Sequence, residues 1–261
     1  MSTLTSQISY SYRKGVVHWE GREVENATRF LNFMRENVKT RVADEDLPFE
    51  DEIRGLATTQ METQFVSKLL SSVPSPRGWE IGEAIAECAL QNDTDLNVVW
   101  PWNTVRDRRT PRASLPGADL VGFNTTTTES ILLFGEVKTS SDANTPPRVM
   151  YGETGMVWQL ESIESRLDIQ HTLLKWLYVR CTVTGHLNLY RKAVSRYLDS
   201  EGKEYLLVGV LIRDTVPSQL DFDSIGEILA TRFFKPTQIE LVAWYLPVEI
   251  ANLSNLLKDS I

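Results

Sequence analysis

The sequence predicts an α/β fold: a mixed sheet flanked by helices, with an N-terminal helical subdomain in front of it. Apolar, β-prone runs at 118–123, 131–138, 205–212 and 239–246 have the length and composition of strands. The last two are continuously apolar, as central strands covered on both faces must be. Stretches with apolar residues three and four apart alternate with these runs, a pattern that places helices over a sheet. The turn-forming segment Ser71-Ser72-Val73-Pro74-Ser75-Pro76-Arg77-Gly78 reads as a linker, so residues 1–75 form the mostly helical part and 76–261 the sheet-bearing domain.

Val24, Ala27, Leu31, Met34 and Val38 share one face of a helix over 23–40, and Ile53, Leu56, Met61, Phe65 and Leu69 give helical spacing over 53–70. Between them the acidic run 44–52 reads as a solvated loop or as a mimic of DNA phosphates. Residues 79–90 form a helix that buries Ile81, Ile85, Cys88 and Ala89 and gathers Glu80, Glu83 and Glu87 on another face. A short strand at 97–102 leads into an arginine-rich loop. The break at 142–148 precedes a helical region that starts with Met156, Leu160, Ile163 and Leu167 and continues to about residue 197. A helix over 224–233 joins the last two strands.

At 42% hydrophobic residues the chain folds into a globular domain or two. No basic start followed by an apolar run, and no stretch of about 18 apolar residues, predicts export or a membrane span, so a cytoplasmic location is expected. Cys88 and Cys181 lack Cys-x-x-Cys spacing, and His18, His171 and His186 are scattered, which supports neither zinc nor a disulfide framework nor a histidine-metal nuclease. A net charge of −8 argues against a protein that coats nucleic acid by charge alone. Distribution matters more: Arg106, Arg108, Arg109 and Arg112 cluster just before Asp119 and are candidate phosphate contacts. The basic residues Arg166, Lys175, Arg180, Arg191, Lys192 and Arg196 form either a second basic face or ordinary solvated surface.

The chemistry-bearing constellation is Asp119, Glu136 and Lys138. Runs 118–123 and 131–138 flank a polar segment, which predicts an antiparallel hairpin. With a symmetric loop, residue 119 falls opposite 136, opposed residues share a face, and alternation adds Lys138 to that face. Charged groups at the end of an apolar hairpin are costly to desolvate without a partner. A divalent cation between the two acids is one such partner; a structural salt bridge is the alternative. Glu201-Gly202-Lys203 repeats the spacing but lies in a polar turn with no apolar strand, and is set aside.

In order and spacing, the helix with Glu83, the strand with Asp119 and the strand with Glu136-Val137-Lys138 resemble the PD-(D/E)XK nuclease superfamily over about residues 79–177. The resemblance implies a restriction-endonuclease-like sheet. It implies that Asp119, Glu136 and the Val137 carbonyl hold Mg²⁺ or Mn²⁺, with Glu83 as an additional ligand or base, and that Lys138 positions or activates the water. It also implies products with 5′-phosphate and 3′-hydroxyl ends. Ala118 stands where the family's proline would be, a departure without chemical consequence. Gln159 looks like the glutamine that some branches place beside the site, though a capping or core-edge role fits as well. More narrowly, Gly78-Trp79-Glu80-Ile81-Gly82-Glu83, the run 115–123 and Phe134-Gly135-Glu136-Val137-Lys138-Thr139-Ser140-Ser141 are similar to the nuclease subunits of Hachiman-type anti-phage systems, which implies DNA as substrate and a helicase partner. The chain has no Gly-x-x-x-x-Gly-Lys-Ser/Thr motif of its own to drive such a motor. Rival readings are a stand-alone restriction-type endonuclease and a non-catalytic subunit that binds DNA or a helicase.

Overall fold

The computed structural model of this chain describes residues 3–43, 49–72, 76–94, 96–102, 117–126 and 129–258. The arginine loop with Arg106, Arg108, Arg109 and Arg112 lies outside the described residues, as do 44–48 of the acidic run.

The fold is α/β, with one seven-stranded mixed sheet between two helical layers. Its strands are β1 (Gln7–Lys14), β2 (Val17–Glu23), β3 (Val98–Val99), β4 (Leu120–Thr125), β5 (Ser130–Ser140), β6 (Tyr205–Arg213) and β7 (Gln238–Tyr245). They lie in the order β1-β2-β7-β6-β5-β4-β3. The run β2-β7-β6-β5 is parallel, and antiparallel partners close both sides. Every residue of β6 is buried, as its unbroken apolar sequence requires of a central strand.

The helices are α1 (Ala27–Phe33), α2 (Lys39–Ala43), α3 (Phe49–Leu56), α4 (Gln60–Leu70), α5 (Gly78–Gln91), α6 (Met156–Ser165), α7 (Leu167–Thr184), α8 (Leu187–Asp199), α9 (Asp223–Arg232) and α10 (Leu253–Lys258). Met34–Val38 winds as a π-helical turn between α1 and α2. One face of the sheet packs on α6 to α9 through Leu160, Leu177, Tyr197 and Leu229. The other packs on α1, α5 and α10 through Phe30, Ile85 and Leu253.

Three expectations change. Residues 7–23 form a β-hairpin turning at Gly15 (φ +60°), and β2 pairs in parallel with β7. The described part of residues 1–75 is mostly helical, but its first strands belong to the same sheet, and Phe30 and Phe33 share a core with Ile81 and Ile85 across the expected boundary. The helix expected from 23 starts at 27, because Asn26 caps it by accepting from the Arg29 amide at 2.9 Å while the Val24 amide bonds to Tyr245 in the sheet. The stripe over 53–70 divides into α3 and α4, with Thr59 and Glu62 forming a capping box, and it buries none of its large apolar residues.

Candidate metal site and its surroundings

Leu120 pairs with Gly135 and Val121 with Phe134, so one step further along the same register Asp119 falls opposite Glu136. The Asp119 amide donates to the Gly135 carbonyl at 3.0 Å, which holds the pairing to its end. On β5, Leu132 and Phe134 enter the core under α6 to α9, and alternation sends Glu136 and Lys138 to that face. The sequence-predicted hairpin therefore brings the two acids and the lysine together on one side of the sheet.

Contacts inside this group are close. Lys138 Nζ donates to Glu136 Oε1 at 2.5 Å, and the Val137 amide donates to Asp119 Oδ2 at 2.9 Å. The Asp119 carboxyl lies close enough to that of Glu136 to disfavour its ionisation. Gln159, in the first turn of α6, directs its side-chain nitrogen to both Glu136 oxygens, at 2.5 and 2.6 Å. That amide orientation is the one that satisfies donors and acceptors. Glu136 is only 3% exposed. Burial first, and the neighbouring Asp119 second, push its carboxyl up to about 8, against the opposing pull of Lys138. Near neutral pH the acid pair thus holds a proton that a bound cation would displace.

Glu83 comes from a different element, α5. Helix α5 lies on the opposite face of the sheet: Ile81 and Ile85 pack with Val137, and Gly82 sits directly on Thr139. Among the described residues no three Asp, Glu, His or Cys side chains gather closely enough to hold one ion. Glu83 is buried and lies within Coulombic range of Arg77, whose guanidinium is kept charged first by the hydrogen bond it donates to Glu80 and further by Glu83. Its neighbours on the acidic face of α5 are not simply solvated. Glu80 accepts from the Arg77 amide at 2.7 Å, and Glu87, fully buried, pairs with Arg41.

The donor set fits a hard cation. Two carboxylates and the Val137 main-chain carbonyl offer oxygen ligands, and Mg²⁺ binds through one or two carboxylates while keeping several waters. Protein ligands to a third acid are therefore not required. Sequence reasoning overlooked one supporting feature, Gly209 of β6, which pairs with Glu136 and whose added Cβ would meet Met156 Sδ at 2.7 Å. Its absent side chain lets α6 approach the sheet, and α6 brings Gln159. A lone glycine in an apolar strand was the available signal. No protein-family model matches the chain, and no curated protein matches it.

Proposed function

We propose that this chain is a metal-dependent nuclease that hydrolyses DNA phosphodiester bonds. The observation that carries the reading is the convergence of Asp119, Glu136 and Lys138 on one face of the β4–β5 hairpin, with the buried Glu136 carboxyl pushed up to about 8 close to a second acid. A strongly perturbed acid beside a partner acid and an amine is what a site for Mg²⁺ or Mn²⁺ needs and a purely structural ion pair does not.

Asp119, Glu136 and the Val137 carbonyl would hold the ion. When bound, it would supply Lewis acidity toward a phosphoryl oxygen and a more acidic water. Lys138 would exchange its bond to Glu136 for the substrate phosphate, offset charge growing on the non-bridging oxygens and orient the attacking water. Gln159 would keep the Glu136 carboxylate in one orientation, since its amide reaches both oxygens. Glu83 would act as a base from outside the ion's direct ligands, since no third acid joins the pair among the described residues. The arginines at 106, 108, 109 and 112 remain the proposed phosphate contacts on the strength of the sequence alone.

The test is purified protein with plasmid and linear DNA in Mg²⁺, Mn²⁺ or EDTA, beside Glu136→Ala and Lys138→Ala. The reading expects metal-dependent cleavage that each substitution lowers by at least about 100-fold. Cleavage that survives both substitutions, or that is unchanged in EDTA, overturns it.

A second reading has its own support: Lys138 and Gln159 already satisfy both Glu136 oxygens, as in a structural network of a non-catalytic binding subunit. DNA binding that is indifferent to metal, with no cleavage under any condition, favours it. Work beside a helicase in anti-phage defence rests on the motif resemblance alone. Cleavage that depends on a co-expressed helicase would support it, and sequence-specific fragments from the isolated chain would favour a stand-alone restriction enzyme.

A further inference from the structure

The helical hairpin α3–α4 carries an apolar stripe that stays exposed among the described residues. Phe49 is 58% exposed, Leu56 69%, Met61 78%, Phe65 65% and Leu69 44%. Within the hairpin only Ile53, Ala57, Val66 and Leu70 are even half-buried. Taking about 200 Å² for a fully exposed large side chain, these exposures leave about 600 Å² of apolar surface on one hairpin. That is the upper end of what a monomer tolerates as a patch, roughly 300–600 Å².

We propose that this hairpin is the contact between two copies of the chain, paired about a two-fold axis into a four-helix bundle. Two such stripes face to face bury about 1,200 Å² from these side chains alone, above the roughly 1,000 Å² that a specific interface needs. A stripe of phenylalanine, leucine and methionine is self-complementary, as a two-fold contact demands. The flanking charges match as well. At about 3.6 residues per turn, Glu52 borders the stripe of α3 and Lys68 borders that of α4, so setting α3 against the partner's α4 brings opposite charges to the rim. A basic partner protein would fit the acidic first turn of α3 (Glu50, Asp51, Glu52), but it would leave Lys68 facing like charge.

The experiment is sedimentation equilibrium of the full chain from about 1 to 100 µM. The expected mass is twice the 29.7 kDa of one chain. Phe65→Glu is expected to weaken association by about 100-fold, with Phe65→Leu close to wild type and helical circular dichroism unchanged in both. Because Phe65→Glu could disturb the hairpin itself, a surface charge swap provides an independent arm: Glu52→Lys weakens the dimer, and Glu52→Lys with Lys68→Glu restores it. A wild-type chain that stays at the single-chain mass up to the highest concentration overturns the proposal. So does a dimer that neither Phe65→Glu nor the single charge change affects. Neither result depends on the nuclease reading.

Discussion

Replacing Glu136 by glutamine is expected to stabilise the fold while removing the proposed chemistry. Burial and the Asp119 carboxylate raise the Glu136 carboxyl from 4.5 to about 8. An unfolded glutamate gives up its proton near 4.5, so above that pH the unfolded state is favoured by ionisation that the folded state resists. Stability tied to the bound proton is therefore fully present below 4.5, falls as pH rises, and is lost by about pH 8. At about 1.4 kcal/mol per pH unit, the interval from 4.5 to pH 7 amounts to a ceiling of roughly 3.5 kcal/mol.

Glutamine keeps the shape and cannot ionise, but it gives up a charge-assisted bond to Lys138 that contributes about 1.5–3 kcal/mol. The net gain is then about 0.5–2 kcal/mol at pH 7, rising toward pH 8 and turning into a net loss near pH 4.5, where only the lost bond remains. Urea unfolding of both proteins in EDTA at pH 5 and pH 8 reads this directly. A variant no more stable than wild type at pH 8, or a difference that fails to grow between the two pH values, would refute the account of a strained acid pair.

Three further outcomes are expected. Millimolar Mg²⁺ or Mn²⁺ should raise the melting temperature of the wild type and not of Asp119→Asn, measured by differential scanning fluorimetry against EDTA; an equal rise in both would place the ion elsewhere. Gly82→Ala should cost about 1–3 kcal/mol, because a Cβ there lies 2.0 Å from Thr139 Oγ1; chemical denaturation should show Thr139→Ala recovering part of the loss. His18 Nδ1 donates to the Glu240 carboxylate at 2.6 Å, a bond that raises its imidazole above the ordinary 6.5. The resulting stabilisation is complete below pH 6.5 and fades as pH rises through the folded value, so Glu240→Gln should flatten the melting-temperature slope between pH 6 and 8.

The acid pair was legible in the sequence because a hairpin register is a local property. A symmetric polar loop between two apolar runs fixes which residues oppose, and alternation does the rest. The edge hairpin was equally local and was missed: Ile8, Tyr10 and Tyr12 alternate with polar residues, and Gly15 precedes Val16, Val17 and Trp19. That is a period of two with a turn, masked because β1 is an outer strand with mostly exposed side chains. What no local pattern could supply is the partner of a helix face. Periodicity over 53–70 marked an apolar stripe without saying that its large side chains stay exposed. The acidic face of α5 gave no hint that Arg41, distant in sequence, buries Glu87. Helical placement of Glu83 was likewise readable, but the side of the sheet that α5 would take was not.

That side matters for how the site could work. In a central strand, an ionised glutamate must be compensated by groups the fold can place within hydrogen-bonding distance. Here two compensations come from different levels of the structure: Lys138 from strand alternation and Gln159 from a helix admitted by Gly209. Only Lys138 brings positive charge. Burial first, and Asp119 from the hairpin register second, work against it, which is why the carboxyl stays near 8 rather than falling toward the usual range. A fold optimised for rigidity alone would place an amide or an apolar residue at 119. Keeping an acid there stores destabilisation that a cation can relieve, and on the nuclease reading that relief is what makes metal binding favourable at neutral pH. The same reasoning assigns Gln159 its part: its amide reaches both Glu136 oxygens and holds that carboxyl in one orientation.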